Sequence, residues 1–245
     1  NFKEDKDLNT LNHSCAHLMA QAVKHLYPEA KFWVGPVIDS GFYYDIDLGD
    51  MVLKEEDLPK IEKEMKRISK DGKRIIRREI SKSDALEMFR DDPYKIDLIS
   101  RMDENETVIS CYTQGDFTDL CRGPHIDSVK GIKFFKLLKV SGAYWKGDAK
   151  NKMLQRIYGV CFENEEDLNV YLRELEEAKE RDHRKIGKDL SIFATNDLVG
   201  KGMPLWLPNG AIVRRELENY IYNKERKMGY KHVYTPVVGT TSLYK

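Results

Sequence analysis

The sequence has few cysteines, no long apolar run and no net charge. Only four cysteines occur in 245 residues, and none forms a CxxC pair. This usage excludes a disulfide-rich scaffold and is typical of a reducing compartment. No apolar stretch approaches the roughly 20 residues that a membrane-spanning helix needs. The N-terminal residues also lack a basic segment followed by apolar ones, so we expect no signal peptide, a cytoplasmic location and no membrane partner.

The 41 basic residues are balanced by 41 acidic residues, which does not suggest a simple polyanion-binding protein. One basic cluster stands out locally, with only Asp71 against it. Such a run usually forms a solvated face, and the alternative is a patch that contacts phosphates. Its members, which we predict as weak tRNA-binding residues, are Lys66, Arg67, Lys70, Lys73, Arg74, Arg77 and Arg78.

The hydrophobic pattern indicates an α+β protein. A first helix is predicted over 10–27, with Thr10 or Asn12 as its cap. Two short strands with a turn at Asp39–Gly41 follow, and Gly, Asp and Ser favour that turn. Further on, we predict helices at 55–71 and 82–90, a candidate strand between them in RIIRREI, and a β-rich segment over 107–162.

The C-terminal third has a different character. A long helix is predicted over 164–186, with Asn164 as its cap and an order of acidic then basic residues that complements the helix dipole. After a Gly- and Pro-rich stretch, an amphipathic helix is predicted to end at Gly229. The segment KHVYTPVV then reads as a strand.

Two short motifs carry the candidate chemistry. His13 and His17 are four residues apart, which places both imidazoles on one face of a helix. Cys121 and His125 are also four apart, but Gly123 and Pro124 between them indicate a loop. Three imidazoles and a thiol are a ligand set for tetrahedral zinc. The same groups can perform general acid–base chemistry near neutral pH, and spacing alone does not separate these alternatives.

Three further residues flank these motifs. Asp119 precedes Cys121 by two positions, so both side chains face the same way in an extended segment. A carboxylate there can orient a histidine or accept from a ribose hydroxyl. Tyr44 shares a strand face with Phe42 and Ile46, so it also reads as a core residue. Lys95 is a charge among apolar neighbours, with a surface position as the simpler reading.

Six motifs together resemble the threonyl-tRNA synthetase family: HSCAH, GPVIDSGFYYDID, DLCRGPH, FFKLLKVSGAYWKGD, KMLQRIYG and RDHRKIGKDL. The resemblance runs from about Leu11 to Pro236 and is closest to the bacterial type. HxxxH followed by CxxxH is shared with alanyl editing domains. The resemblance implies a fragment of a longer enzyme, with an editing domain of antiparallel sheet and packed helices, a linker helix and the beginning of a class II catalytic domain. The implied boundaries are 1–163 for the editing domain, 54–90 for a charged helical insertion within it, 164–187 for the linker and 188–245 for the catalytic part.

The resemblance further implies an activity, the hydrolysis of seryl-tRNA(Thr) made in error by the synthetic site. A pocket that accepts threonine cannot exclude serine, because the loss of one methyl group weakens binding by only about 1–3 kcal/mol. We expect His13 to position or activate water or the ribose hydroxyl, with Lys95 as a second polar partner. The full expected set is catalytic His13, Lys95, His17, Cys121 and His125, with substrate-binding Asp119 and Tyr44.

We expect the editing site to work without a metal. If zinc is present, His13, His17, Cys121 and His125 would hold it, as in alanyl editing domains. The alternatives are therefore a zinc-dependent hydrolase of the alanyl type or a non-enzymatic structural zinc module. The resemblance implies zinc, ATP and Mg²⁺ only in the catalytic domain of the full-length enzyme, which attaches threonine to tRNA(Thr) as a homodimer. This fragment lacks motifs 2 and 3, so we expect editing without aminoacylation, tRNA(Thr) as partner and a monomer or weak dimer.

Overall fold

A computed structural model describes residues 1–102, 108–200, 202–236, 238–239 and 241–244. The chain divides into two compact units, Asn1–Leu172 and Arg173–Lys245. Within the described ranges, none of the helices combines the length and the apolarity needed to cross a membrane.

The first unit is built on an antiparallel sheet with the strand order β1-β3-β8-β7. A short strand β2 also pairs with β3, and their connection contains the turn at Asp39–Gly41 that the sequence predicts. Strand β8 lies between β3 and β7 and is therefore paired on both edges. The strands are β1 Lys31–Phe32, β2 Val37–Ile38, β3 Gly41–Asp47, β7 Phe134–Tyr144 and β8 Met153–Phe162.

A second antiparallel sheet has the order β4-β5-β6. Its strands are β4 Ile75–Ser81, β5 Val108–Gln114 and β6 Phe117–Leu120. The segment RIIRREI forms β4, so residues 54–90 contain a strand between two helices, α2 Leu58–Asp71 and α3 Lys82–Met88. The predicted β-rich segment over 107–162 is confirmed, except that Thr107 lies outside the described residues.

Helix α1, Lys6–Leu26, begins earlier than the sequence predicts because Asp5 caps it. The Asp5 carboxylate accepts hydrogen bonds from the main-chain N–H groups of Asp7 and Leu8, which satisfies two otherwise unpaired donors. The expected caps, Thr10 and Asn12, are therefore wrong. Both lie inside the helix, where Thr10 Oγ1 donates to the carbonyl of Lys6.

Helix α1 packs against the first sheet and α2, and its apolar face enters the main core. Asn12 is fully buried and bonds to strand β8 through both ends of its amide. Its Nδ2 donates to the carbonyl of Cys161 at 2.8 Å, and its Oδ1 accepts from the Cys161 N–H at 2.9 Å. The side chain thus pairs with the main chain of β8 as a neighbouring strand would. These two bonds fix the position of α1 on the sheet and its rotation about its own axis.

The sequence patterns did not reveal helix α4, Pro93–Ser100. Asp92 caps this helix by accepting from the N–H groups of Tyr94 and Lys95, and Pro93 occupies the first helical turn. An Asp-Pro pair is a recognised start signal, so the helix was detectable. The other Asp92 oxygen accepts from the N–H of Phe32 at 2.8 Å, which ties the start of α4 to β1.

The predicted single helix over 164–186 is wrong, because it is interrupted at 181–182. Helix α5 spans Glu165–Glu180, and Asn164 caps it as predicted. Helix α6 spans His183–Asp189, and the Asp182 carboxylate caps it by accepting from the Arg184 N–H. A new N-cap at Asp182 therefore starts a separate helix.

The second unit also contains a two-strand pair and a long helix. The strands β9, Phe193–Ala194, and β10, Leu205–Trp206, pair antiparallel, and α7 spans Pro208–Lys227. The predicted strand KHVYTPVV is wrong for residues 231–236 and 238, which have no strand pairing in the described part of the chain, and Val237 lies outside it. A strand needs a hydrogen-bonded neighbour, and composition alone does not supply one.

Replacing Asn12 should test the link between α1 and β8. Asn12→Ala leaves the N–H and carbonyl of Cys161 buried and unpaired, and each such group costs about 1–3 kcal/mol. We expect the free energy of unfolding to fall by about 3 kcal/mol, measured by urea denaturation. Asn9→Ala removes a half-buried asparagine of the same helix, whose Nδ2 donates to the Lys3 carbonyl at 3.3 Å near the surface, and it should change stability much less. Equal losses of stability in the two variants would contradict this role.

Candidate active site

The two motifs meet, as the sequence predicts, on one side of α1. His13 and His17 come from the helix, and Cys121 and His125 come from the loop after β6. Sγ of Cys121 lies 3.2 Å from Nε2 of His13 and 3.2 Å from Nε2 of His125. The His13 and His17 rings each have their centroid 4.3 Å from that of His125. All three imidazoles and the thiol therefore face one point.

The loop reaches this position through Gly123, which has a φ of +74°. A Cβ atom there would lie 2.1 Å from the hydroxyl oxygen of Tyr112, so no larger residue fits without a shift. The Gly123 N–H donates to Cys121 Sγ at 3.2 Å. Tyr112 also packs its ring edge-on to His125, with centroids 4.4 Å apart. The glycine therefore allows a tight turn that brings sulfur and imidazole together.

His125 is also bonded to α1. Its Nδ1 lies 3.1 Å from Oγ of Ser14, and the N–H of the next residue, Ile126, donates to the same oxygen at 3.0 Å. Ser14 lies between His13 and His17 in the helix and is fully buried. Because serine is common in helices and loops, no sequence pattern singled it out.

A buried charged network adjoins the histidines. The Lys95 ammonium forms an ion pair with Asp119, and its Nζ donates to the carbonyl of Trp33 at 3.0 Å and to the Tyr44 hydroxyl at 3.2 Å. The Tyr44 hydroxyl donates to the second oxygen of Asp119. Nε2 of His17 lies 3.7 Å from that carboxylate. The surface position considered for Lys95 is therefore wrong, since only 3% of the residue is exposed.

Burial keeps the histidines and the thiol uncharged. Desolvation lowers the pKa of His13, although hydrogen bonding to the Pro124 carbonyl and the charge of Asp119 oppose it. Burial, with the nearby His17 and His13, lowers the pKa of His125 to about 2. Burial likewise raises the pKa of Cys121 to about 11. The site therefore presents neutral nitrogens and a thiol beside one buried cation and one carboxylate.

The pKa of His17 is also held well below its usual range, by burial first and then by the charges of His13 and Lys95. Burial and the adjacent Asp119 carboxylate raise the pKa of Tyr44, so its hydroxyl keeps its proton and can donate. His17 and Tyr44 can therefore offer hydrogen bonds, but no charge, to a group in the site.

A small cavity of about 240 Å³ opens between these groups. It is lined by His13, His17, Cys121, Tyr44, Lys95 and Asp119, which were all predicted site residues. Its other walls were not predicted from the sequence. The Cβ of any residue replacing Gly35 would lie 2.3 Å from the Tyr44 ring, so the main chain closes one wall. The remaining unpredicted residues are Trp33, Val34, Pro36, Leu98, Leu120, Arg122 and Gly123.

The residues present fit a zinc ion. One ligand atom from each of His13, His17, Cys121 and His125 can be chosen so that all lie within 4.8 Å of one another. Ligands of a tetrahedral zinc lie about 3.3–3.8 Å apart, given Zn–N near 2.0 Å and Zn–S near 2.3 Å. Among the described residues, Nδ1 of buried His17 has no hydrogen-bond partner. The chemistry and spacing of the donors therefore suit the metal, which leaves both interpretations of the motif open.

The seven basic residues of the predicted tRNA-contacting cluster are not part of the cavity. All seven are exposed, on α2, β4 and the turn between them. Two of these positive charges are partly neutralised, because Arg67 forms an ion pair with Glu64 at 2.6 Å and Arg77 forms one with Glu79 at 2.6 Å. The expectation that only Asp71 opposes them is wrong.

Comparison with known proteins places part of this site in a known domain. Residues 109–158 match the second additional domain of threonyl and alanyl tRNA synthetases. The match includes Cys121 and His125, whereas His13 and His17 precede it.

Bacterial relatives match almost the whole chain. It is 59% identical over 240 residues to the threonine–tRNA ligase of Anoxybacillus flavithermus, an alignment that covers 97% of this chain and 37% of the relative. It is 57% identical over 241 residues to that of Staphylococcus epidermidis, with 98% and 37% covered. For that of Enterococcus faecalis, identity is 54% over 238 residues, with 97% and 37% covered.

The chain thus spans 37% of the length of these relatives. Identity of 54–59% over almost the whole chain, together with the matched domain, shows that the chain corresponds to a segment of bacterial threonine–tRNA ligases.

Proposed function

We propose that the first unit hydrolyses seryl-tRNA(Thr), the product of mischarging, at the ester that joins serine to the terminal adenosine. The observation that carries this proposal is the convergence of His13, His17 and Cys121 on a cavity that Lys95 and Asp119 also line, with His125 in contact with Cys121 Sγ. This cavity lies in a family whose members are threonine–tRNA ligases. The complete enzyme, we infer, joins threonine to tRNA(Thr) with ATP, as a homodimer, and this site corrects its errors.

Ester hydrolysis requires a positioned water, support for the oxyanion of the tetrahedral intermediate, and a proton for the departing ribose oxygen. His13 is less enclosed than His17, and in the proposal it positions the water or the ribose hydroxyl. Its neutral imidazole can accept a proton from water and return it to the leaving oxygen.

Lys95 supplies the positive charge in this proposal. Its ammonium is fixed by Asp119, Tyr44 and the Trp33 carbonyl. A preorganised charge in a site with little water stabilises a developing oxyanion more than a mobile one does. Asp119 balances the buried cation, and it also offers an acceptor to the serine amine or hydroxyl or to the ribose. Tyr44 and His17 complete the polar wall.

We propose that a local wall of the cavity, rather than its total volume, discriminates against threonine. A volume of about 240 Å³ lies below the roughly 300–1,000 Å³ of most small-molecule pockets. In the proposal, it admits the seryl group and leaves the nucleotide largely outside. Threonine needs space for one more methyl, and overpacking a rigid wall costs about 1–3 kcal/mol. A second site that excludes by size complements a first site that cannot exclude the smaller amino acid.

We also propose that hydrolysis here needs no metal, because Lys95 already places a fixed cation beside the cavity. Zinc is the second candidate, since the donor set fits it. His13, His17, Cys121 and His125 would hold the ion, and it would lower the pKa of a bound water only if one of the four ligands gave way or a fifth position opened. Neither alternative changes the proposed substrate. A non-enzymatic zinc module is less well supported, because it gives no role to the buried Lys95–Asp119 pair.

One assay tests the substrate and the site together. The chain should hydrolyse seryl-tRNA(Thr) much faster than threonyl-tRNA(Thr). His13→Ala should lower kcat/KM for the seryl ester by about 10²–10⁴-fold, the usual contribution of general acid–base catalysis. Release of labelled amino acid from each tRNA measures both. The exposed His183 provides a matched control, and His183→Ala should have no effect.

Two outcomes would contradict the proposal separately. Unchanged hydrolysis by the His13→Ala variant would show that the reaction takes place elsewhere. Equal rates on the two aminoacyl-tRNAs would remove the proofreading role and leave only a general esterase.

The zinc content of the protein tests the metal-free mechanism. Protein purified without chelators should contain far less than one zinc per chain by mass spectrometry of metals, and EDTA should leave seryl-tRNA hydrolysis unchanged. Stoichiometric zinc that is absent from Cys121→Ser, together with inhibition by EDTA, would establish the zinc-dependent mechanism instead. Cys111→Ser is the control, since that cysteine lies outside the cavity.

The basic cluster predicts a salt effect. Lys73 and Arg74 are its best candidates for phosphate contact, because Arg67 and Arg77 have carboxylate partners. For tRNA binding, the logarithm of the association constant falls linearly with the logarithm of the salt concentration. Lys73→Gln with Arg74→Gln should make this slope less steep by about 2, or about 1 for each phosphate that is no longer neutralised. Lys3→Gln with Lys6→Gln, at the exposed start of the chain, is the control. Equal slopes for both pairs would place the tRNA on another face.

A further inference from the structure

Ser14 is a buried residue of α1 whose hydroxyl has three hydrogen-bond partners. Its Oγ donates to the carbonyl oxygen of Thr10 at 2.8 Å, since a carbonyl can only accept. The N–H of Ile126 donates to the same Oγ at 3.0 Å. Nδ1 of His125 lies 3.1 Å away. A serine hydroxyl has one proton and two lone pairs. Because its proton is already donated to the Thr10 carbonyl, Oγ can only accept a hydrogen bond from His125.

We infer that Ser14 is a positioning residue that holds His125 in the tautomer with its proton on Nδ1. A neutral imidazole has one N–H and one lone pair. With the proton directed at Ser14, the lone pair of Nε2 is directed at Cys121 Sγ, 3.2 Å away. Ser14 therefore determines what Nε2 of His125 offers to Cys121, a residue of the cavity wall: an acceptor for the thiol proton.

The aromatic neighbours of the His125 ring do not select a tautomer. The rings of His13, His17 and Tyr112 pack against it at 4.3–4.4 Å between centroids. Such packing fixes the plane of a ring and leaves its proton free to sit on either nitrogen. Without the Ser14 hydroxyl, Nδ1–H has no acceptor there, and the alternative Nε2–H form gains one in the Cys121 sulfur. In that form, Nε2 of His125 presents an N–H donor in place of a lone pair.

Nitrogen-15 NMR of the histidine side chains measures this directly, because protonated and unprotonated ring nitrogens have very different shifts. In the wild-type chain at neutral pH, His125, assigned by its loss in His125→Gln, should show the Nδ1–H form alone. Ser14→Ala should produce a substantial Nε2–H population, and Ser14→Thr, which keeps the hydroxyl, should restore Nδ1–H. Ser69→Ala is the control, since Ser69 is another buried serine that donates to carbonyls and lies away from His125.

The consequence for catalysis rests on the proposed function. Loss of a residue that orients a functional histidine typically costs about 10–100-fold. Ser14→Ala should therefore lower kcat for seryl-tRNA hydrolysis by about that factor with little change in KM, and Ser14→Thr should recover most of it. If Ser14→Ala folds poorly, Ser14→Cys replaces it, because a thiol keeps the shape and is a weak acceptor.

The NMR and kinetic measurements test the tautomer and its catalytic importance independently. A wild-type His125 in the Nε2–H form, or an unaltered tautomer in both Ser14→Ala and Ser14→Cys, would overturn the inference. Altered tautomers with unchanged hydrolysis would confirm the tautomer and overturn its importance for catalysis. A chain with the expected spectra and no hydrolysis of seryl-tRNA would leave Ser14 as assigned and remove the proposed function.

Discussion

The site depends on one buried amide that fixes α1 to the sheet. Asn12 pairs with both main-chain groups of Cys161 in β8, a strand that is itself paired on both edges. A helix that rests on a sheet through apolar contacts alone can slide or rotate at small cost, whereas two directed hydrogen bonds in the core cannot be shifted without leaving groups unpaired. Because His13 and Ser14 follow Asn12 directly, their direction is set by the same bonds.

The sequence predicted the parts of the site that depend on local geometry. Four-residue spacing placed His13 and His17 on one helix face, and Gly123 marked the loop that carries Cys121 and His125. Other features depend on tertiary contacts that no local pattern encodes. The burial of Lys95 follows from Asp119, a partner on a distant strand, and the role of Ser14 appears only when His125 reaches it from a segment 111 residues away.

The second unit shows the same limit for the fold. Its long helix was predicted to end at Gly229 and ends at Lys227, because helical periodicity is a local signal. The strand expected after it does not form in the described residues, although KHVYTPVV has the composition of one. Strands are defined by their neighbours, and β propensity mainly records how well a side chain packs on a paired surface. Several apolar residues of α7, such as Ile212, Leu217 and Tyr220, are exposed.

The charge state of the site limits how it can work. Three imidazoles and a thiol share a buried space with a single ammonium and a single carboxylate, and burial disfavours any additional charge. Imidazoles with lowered pKa values are weak bases, so in the proposed hydrolysis His13 accepts the proton of the water only as that water attacks the ester. They provide lone pairs and N–H groups in fixed directions, beside a cation that is already in place. In the proposed hydrolysis, rate is gained mainly from orientation, and a hydroxyl that selects one tautomer of His125 contributes to that orientation without touching substrate.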